Sequence, residues 1–157
     1  MAAVEGTGFS FRPLAEEDAR AISTWEYEEA CSVYDVHDVE RLLRPDYHYC
    51  AALSEDGELL GYCCFGEDAR AEGMEEEPGV LDVCGRLRPD LTGVGLGAPF
   101  LRAVCAHSAE QFQPRALRLS VVAFDRRARY MAAALGFEQV GLRSAAGRDY
   151  VVLQRQA

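Results

Sequence analysis

A glycine-rich segment is the part of this sequence best suited to chemistry. Residues 87–97 read Leu-Arg-Pro-Asp-Leu-Thr-Gly-Val-Gly-Leu-Gly, with glycine at every second position from Gly93 to Gly97. Glycine lets the backbone approach a ligand closely. A helix is predicted to begin directly afterwards, and the free N–H groups and the dipole at a helix start both favour an anion. We therefore predict that this segment cradles a pyrophosphate group.

Spacing separates this segment from other phosphate-binding loops. A dinucleotide-binding loop needs G-x-G-x-x-G near the first strand of a βαβ unit, whereas the spacing here is G-x-G-x-G, late in the chain and after predicted hairpins. A P-loop needs a lysine, and this chain contains none. Taken alone, the segment is also compatible with a glycine-rich turn that binds no ligand.

Two motifs of the chain resemble those of the GNAT acetyltransferases. In that family a strand ending in V-x-P leads into Q/R-x-x-G-x-G/A and a long helix, to which Leu87–Pro89 and Thr92–Gly97 are similar. The family's second pattern is V-x-x-F-N-x-R-A, then a tyrosine, then G-F. Residues Val121–Ala128 and Gly136–Phe137 are similar to it. Residues 11–19 resemble the family's first strand and helix, and residues 57–61 its central hairpin turn, so the resemblance covers nearly the whole chain.

The resemblance implies a reaction and a set of cofactor-binding residues. It implies transfer of an acetyl group from acetyl-CoA to a primary amine, of a small molecule or a peptide or protein N-terminus, by direct attack in a ternary complex without a metal. The strand near Cys84–Leu87 is implied to splay from Leu117–Val121, with backbone N–H near Leu87 polarising the thioester carbonyl. The residues implied to bind the cofactor are Leu87, Thr92, Gly93, Val94, Gly95, Leu96, Gly97, Asp125 and Ala128.

The chain departs from the family pattern at functionally important positions. Thr92 replaces glutamine or arginine, and Asp125 replaces an asparagine; a carboxylate accepts hydrogen bonds but donates none unless protonated. Ala132 occupies the position of the tyrosine that protonates the departing thiolate in the family. Tyr130 lies about 200° away around the helix, so we interpret it as a partly buried aromatic instead. An acyl-CoA-binding or regulatory module with little turnover is therefore the alternative function.

The general base is the least determined part of the predicted site. Asp82 is the first candidate, because strand alternation places it on the same face as Cys84 and Arg86, beside the implied splay. A structural role is the alternative for every candidate. The other candidates are Glu67, Asp68, Tyr27, Tyr34 and His48.

The elements that must position these residues follow from hydrophobic periodicity. Strands are predicted at 8–14, 47–54, 59–65, 80–87, 116–124, 137–142 and 150–154, and helices at 15–27, 36–44, 96–112 and 125–135. This order predicts a mixed, mostly antiparallel sheet of about seven strands flanked by about four helices, in the α+β or α/β class. The resemblance implies that this is the three-layer GNAT fold. We expect one domain over residues 1–157.

Composition and charge limit the partners. The net charge is −10, so we expect no binding to nucleic acid or anionic membranes, whereas a cationic amine is compatible. Six acidic residues between Gly66 and Gly79 form either a solvated loop or an acidic rim for such an acceptor. The acceptor site is expected in the aromatic and acidic segment Trp25–Tyr49. The first residues do not resemble a signal peptide, and a cytoplasmic location is expected.

The cysteines and the sheet edges complete the expectations. None of the six cysteines lies in a C-x-x-C pair, so buried free thiols are predicted, with disulfides or a metal site as the alternative. A homodimer through an edge strand is compatible with this fold. The cysteines are Cys31, Cys50, Cys63, Cys64, Cys84 and Cys105.

Overall fold

A single twisted sheet carries all the strands of the computed structural model, which describes residues 2–4, 8–28 and 34–157. The strands are β1 (Ala2–Val4), β2 (Phe9–Pro13), β3 (Cys50–Leu53), β4 (Leu59–Phe65), β5 (Val80–Leu87), β6 (Ala116–Val122), β7 (Glu138–Ala145) and β8 (Arg148–Gln156). The α-helices of the described residues are α1 (Glu16–Ser23), α2 (Val39–Leu42), α3 (Gly97–Phe112) and α4 (Arg126–Ala134).

The sheet is mixed, as predicted. Its strand order is β1-β2-β3-β4-β5-β6-β8-β7. Only β5 and β6 run parallel among its paired neighbours, because the long helix α3 connects them as a crossover. The sequence predicted about seven strands, and β1 brings the observed number to eight. β1 is missed by hydrophobic periodicity because its three residues, Ala-Ala-Val, do not alternate.

Each face of the sheet packs against its own helices. Strand β4 shows the division: Cys63 and Phe65 point into the core under α3 and α4, whereas Tyr62 and Cys64 point into the core under α1 and α2. This alternation is what a strand buried on both faces requires. The candidate site, a gap between β5 and β6, lies between these two helical layers.

The first two helices are shorter than predicted. Helix α1 was expected to reach Tyr27, but it ends at Ser23 because the Thr24 hydroxyl donates to the Ala21 carbonyl and competes with helix continuation. The Tyr27 N–H donates instead to the Asp35 carboxylate at 2.9 Å. Helix α2 was expected from Val36 but begins at Val39, because the Asp38 carboxylate caps it by accepting from the Arg41 N–H.

The C-terminal hairpin is longer than predicted. Strands β7 and β8 extend to a two-residue turn at Ala146 and Gly147, whose φ angles are 51° and 76°. A turn with both φ angles positive matches the twist of the strands that it joins. No helix among the described residues is long and apolar enough to cross a membrane.

Candidate active site

The site begins where β5 and β6 part. Their parallel ladder ends at the pair Asp82 and Arg118. Beyond that point β5 pairs only with β4 as far as Leu87, and β6 pairs only with β8 as far as Val122. The two strands therefore expose unpaired backbone groups to the gap between them, as a sheet edge does. The gap lies where the resemblance implied a splay.

The glycine-rich segment turns the chain from β5 into α3. A short 3₁₀ turn at Pro89–Leu91 is followed by Thr92, whose hydroxyl donates to the Pro89 carbonyl at 2.8 Å. Gly93 and Gly95 have φ angles of 76° and 89°, a region in which a residue with a Cβ is strained. No side chain caps the start of α3 after Leu96, so the N-terminal amides of this helix are available to an anion.

Arg127 places a positive charge beside this loop. Its guanidinium nitrogens lie 3.2 and 3.3 Å from the point that a Cβ on Gly93 would occupy. Among the described residues no carboxylate forms an ion pair with it. From the sequence alone Arg127 is only a motif position, because its proximity to Gly93 arises only when α4 packs beside the loop. Together the loop, the helix start and this guanidinium fit a pyrophosphate.

Asp125 and Ala128 lie at the start of α4, on the β6 side of the gap. Asp125 caps the helix: its Oδ1 accepts from the Ala128 N–H at 3.0 Å, and its Oδ2 accepts from the Tyr34 hydroxyl at 2.7 Å. Both carboxylate oxygens act as acceptors, which is the only role that an ionised aspartate can have here. A role of these residues in cofactor binding stays a prediction.

Two tyrosines from the segment after α1 cover the gap. The Tyr27 hydroxyl donates to the Leu87 carbonyl at 2.6 Å, at the end of β5. Burial raises the pKa of Tyr27, so its hydroxyl stays protonated. The guanidinium of Arg86, on β5, lies 4.0 Å from the ring centroid of Tyr34, which also bonds Asp125 on the other side. Tyr34 therefore connects β5 with the start of α4, three residues after β6 ends.

Asp82 is enclosed by arginines. Its side chain is 2% exposed, and it accepts from Arg70 Nε at 2.8 Å and from Arg118 Nε and Nη2 at 2.7 and 3.1 Å. It also lies at the last paired position before the strands part. Both carboxylate oxygens of Asp82 are engaged by two guanidinium groups that hold neighbouring elements together, which favours a structural role. The proposal that Asp82 is the catalytic base therefore stays a prediction.

The other candidate bases have structural partners or lie elsewhere. Asp68 pairs with Arg41 and accepts from the Tyr49 hydroxyl. The guanidinium and this hydroxyl lower the pKa of the Asp68 carboxyl, although burial opposes them. His48 packs edge-on against Phe112, 5.3 Å between ring centroids, at the far end of α3. Glu67 lies in a short 3₁₀ turn after β4.

Tyr130 and Ala132 face in opposite directions on α4. Tyr130 is 80% exposed, so the interpretation of it as a partly buried aromatic is wrong, because its side of the helix faces solvent. Ala132 is 0% exposed and belongs to the core under α3. The predicted angular separation of these two positions accounts for both observations. Tyr130 therefore cannot supply the proton that a tyrosine at position 132 would supply.

The acidic segment after β4 is partly fixed to the sheet. Arg118 Nη2 donates to the Glu75 carbonyl at 2.9 Å, and its Nη1 lies 4.0 Å from the Glu77 carboxylate. The five cysteines within the described residues are free thiols; Cys63, Cys64 and Cys105 are buried as predicted, whereas Cys50 and Cys84 are only partly buried. Glu29 and Cys31 lie outside those residues. Within the described part of the chain, no cluster of histidine, cysteine or acidic side chains could hold a metal ion.

The comparisons with known proteins identify the family. A model of the acetyltransferase (GNAT) family matches residues 13–137, and the chain belongs to that family. No curated protein matches the sequence significantly.

Solved structures share the fold. A chimera of the spermidine N-acetyltransferase SpeG from Vibrio cholerae and hSSAT has a TM-score of 0.75 at 15% identity, covering 95% of each chain. Aminoglycoside acetyltransferase AAC(6')-Ib in complex with coenzyme A has a TM-score of 0.74 at 18% identity, covering 94% of each. Mycobacterium smegmatis RimJ in complex with CoA-disulfide has a TM-score of 0.67 at 19% identity, covering 96% of this chain and 83% of that one.

Proposed function

We propose that this protein transfers an acetyl group from acetyl-CoA to a primary amine. The observation that carries the proposal is that the gap and the glycine-rich loop adjoin each other. The exposed edge of β5 ends at Leu87, and the chain reaches Gly93, Gly95 and the uncapped start of α3 within a few residues. The helix start and Arg127 would hold the pyrophosphate. The gap beside β5 would receive the pantetheine arm, and backbone N–H near Leu87 would polarise the thioester carbonyl.

We also propose that Tyr34 protonates the departing thiolate. The position that carries a tyrosine in the family is Ala132 here, whose side chain is buried and has no proton to give. Tyr34 contacts Arg86 on one side of the gap and donates to Asp125 on the other, which supports a position beside the reacting thioester. To protonate the thiolate, its hydroxyl would give up the hydrogen bond to Asp125. A thiolate needs less help than an alkoxide, since thiols have a pKa of about 8.5.

The acceptor that suits this site is a cationic amine. The segment after β4 carries six acidic residues, and Ala69 within it packs into the same core as Trp25, Leu42 and Tyr49 of the expected acceptor segment. The SpeG chimera is named for spermidine and AAC(6')-Ib for aminoglycosides, which are cationic amines, and this supports the same class here. A neutral amine attacks, so the base removes a proton from the ammonium form before transfer. The sequence makes Asp82 the first candidate for this base, whereas its two arginine partners favour a structural role.

A binding module with little turnover is the second candidate. The observation that favours it is Ala132, which removes the family's usual proton donor. The two candidates agree on cofactor binding and differ on turnover. Changing Ala132 to tyrosine does not separate them cleanly, because a 0% exposed alanine has no room for a large ring and overpacking would itself destabilise the fold.

Calorimetric titration with acetyl-CoA, with free CoA for comparison, tests the proposal. We expect micromolar binding of both, lost in Gly95→Glu because a carboxylate would face the phosphates. Gly57→Glu is the matched control: its φ of 83° is similar to the 89° of Gly95, and a Cβ at either position meets nothing within 4 Å. Absence of binding by the unmodified protein would refute the proposal. Binding without release of the CoA thiol across a panel of amines would favour the second candidate.

A further inference from the structure

A second cluster of reactive groups lies on the neighbouring strands β3 and β4. Cys50 and Cys63 face each other as direct partners on the antiparallel strands β3 and β4. Direct partners in an antiparallel pair have Cα atoms about 4.5 to 5.5 Å apart, within the 4.4 to 6.8 Å range of disulfides. Both side chains lie on the face that packs under α3. The two thiols can therefore be joined with little backbone movement.

An apolar cavity gives access to one of these thiols. It has a volume of about 400 Å³ and lies between α2, the end of α3 and the start of β3. Cys50 lines it, whereas Cys63 is fully buried behind Cys50. None of its lining residues belongs to the glycine-rich loop, to β5 or to α4. Its apolar walls include Pro13, Leu14, Leu42, Leu43, Phe65 and Phe112.

Histidines and the second cysteine set the reactivity of Cys50. His107 lines the cavity, is 7% exposed and stacks on Phe11 with 4.7 Å between ring centroids. Hydrogen bonds from Cys63 and His107 lower the pKa of the Cys50 thiol, and burial raises the pKa of Cys63. His48, in a left-handed conformation with a φ of 54°, places its carbonyl 3.8 Å from Cys50 Sγ. Arg44 and Tyr49 are the other titratable groups that line the cavity.

We propose that Cys50 and Cys63 form a hydroperoxide-reactive pair, with Cys50 attacking a peroxide that enters the apolar cavity and Cys63 closing a disulfide. In the first step Cys50 Sγ attacks the terminal oxygen of the hydroperoxide. The O–O bond breaks, the alcohol leaves with the proton, and Cys50 becomes a sulfenic acid. In the second step Cys63 Sγ attacks the Cys50 sulfur and water leaves. One hydroperoxide is reduced to an alcohol and water, and two thiols are oxidised to one disulfide.

The chain contains an internal comparison for this proposal. Cys64 and Cys84 are also direct partners, on β4 and β5, but they lie on the other face of the sheet under α1 and α2. They have the same cross-strand geometry as Cys50 and Cys63 but do not line the 400 Å³ cavity. If strand geometry alone determined oxidation, both pairs would react equally. Access through the cavity and the contact with His107 predict that Cys50 and Cys63 react first.

The experiment treats the fully reduced protein with one equivalent of cumene hydroperoxide, blocks remaining thiols, and maps the products by mass spectrometry. We expect the Cys50–Cys63 disulfide to form at least about tenfold faster than any Cys64–Cys84 product. Cys63→Ser should leave a sulfenic acid on Cys50 that dimedone traps. Cys64→Ser is the matched control and should leave the disulfide unchanged. His107→Phe keeps the stacking ring but removes its nitrogens, and should slow Cys50 oxidation about tenfold.

Other outcomes would overturn the proposal. Oxidation of Cys50 no faster than that of Cys84 or Cys105 would show that the cavity and His107 confer no reactivity. Formation of the Cys64–Cys84 disulfide first would show that the cavity beside Cys50 does not decide which pair is oxidised. Circular dichroism of each variant confirms that it is folded before its thiols are compared. Because none of these measurements involves CoA or an amine, they are independent of the acetyl-transfer proposal.

Discussion

Tyr34 is the residue whose contacts most directly suggest a role in transfer. Its ring lies against Arg86 on β5, and its hydroxyl donates to Asp125 at the start of α4. We expect Tyr34→Phe to lower kcat about 100-fold, the lower end of the range for general acid–base catalysis, because the thiolate would leave unprotonated. The KM for acetyl-CoA should change little. Steady-state kinetics with a thiol-detecting reagent measures both parameters.

Tyr130→Phe is the control for this substitution. It removes a hydroxyl from the same ring type, but on a side chain that is 80% exposed on the opposite side of α4 from Ala132. We expect its kcat to equal that of the unmodified protein. If Tyr34→Phe and Tyr130→Phe behave alike, Tyr34 is not the proton donor.

Replacing Asp82 tests whether this residue has a structural or a catalytic role. Asp82→Asn removes the charge between two arginines in a nearly fully buried position, which we expect to cost about 3 kcal/mol of the free energy of unfolding. The kcat of the folded fraction should fall less than about threefold. Denaturant unfolding and initial rates on the same preparation measure the two effects. A loss of kcat of about 100-fold or more with unchanged stability would instead establish Asp82 as the base.

For single residues, the sequence predicts features that the local backbone sets and misses those that tertiary contacts set. Gly93 and Gly95 could be recognised because their positive φ angles are a local requirement. Arg127 could not, because its proximity to Gly93 arises only when α4 packs beside the loop. Tyr34 was one candidate among several, and nothing local distinguishes it from Tyr27.

The hydrogen bonds at the start of α1 predict how the stability of the protein depends on pH. Asp18 accepts from the Ala15 N–H at 2.8 Å and from Arg12, closing the first turn of the helix. Burial opposes ionisation of Asp18, but these hydrogen bonds outweigh it and lower its pKa. Because folding lowers the pKa of Asp18, its ionised carboxylate contributes stability that is fully present above its pKa in the unfolded chain, about 3.9. This contribution is lost as the pH falls through the pKa of Asp18 in the folded protein.

Asp18→Asn should therefore destabilise the protein by about 1 to 2 kcal/mol at pH 7, since the amide keeps an acceptor for Ala15 but loses the charge opposite Arg12. The difference between the two proteins should shrink below about pH 4 and vanish below the folded pKa. Urea unfolding at a series of pH values measures it. A difference that stays constant down to pH 2 would mean that packing, not ionisation, is responsible.

Gly61 holds strand β4 close to the end of β5. A Cβ at this position would lie 2.5 Å from the Arg86 carbonyl oxygen and 3.2 Å from the Leu87 Cα. We expect Gly61→Ala to cost about 1 to 3 kcal/mol and to weaken CoA binding, because the backbone of β5 must move away at the site. Thermal unfolding and calorimetry measure the two effects.

Gly141→Ala is the control for Gly61→Ala. Gly141 also lies in a strand, and a Cβ there meets nothing within 4 Å. We expect a change in stability within about 0.5 kcal/mol and unchanged CoA binding. Equal effects of the two substitutions would show that the close approach of Gly61 to the Arg86 carbonyl does not restrict which side chain position 61 can carry.

Elements whose ends are set by burial were predicted well, and those whose ends are set by side-chain hydrogen bonds were not. Strands β4 and β5 have their predicted bounds, because apolar runs end at turn residues on both sides. Helix α1 ends early because of the Thr24 hydroxyl, and α2 begins late because of the Asp38 cap. Such bonds depend on the path of the following residues, which hydrophobic periodicity does not predict.

The charge of the whole molecule follows directly from its sequence and affects which acceptor it attracts. The net charge is −10, and the chain between Gly66 and Gly79 carries six acidic residues and a single arginine. Arg41 neutralises Asp68, and Arg118 lies near Glu77, so only part of this charge faces solvent unpaired. The resulting field attracts cations from beyond contact distance and weakens as salt shortens its range to about 3 Å at 1 M.

A diamine should therefore respond to salt more strongly than a zwitterionic amine. Between 0.05 and 0.5 M ionic strength we expect kcat/KM for the diamine to fall about three- to tenfold, because long-range attraction contributes to its encounter with the site. For an amino acid, whose carboxylate cancels its ammonium charge, the change should stay within about twofold. Initial rates at fixed acetyl-CoA measure both, and using the same acetyl donor removes the effect of salt on cofactor binding from the comparison. If both acceptors lose activity equally, the acidic surface serves solubility rather than acceptor recognition, and the preference for a cationic amine must come from contacts inside the gap between β5 and β6.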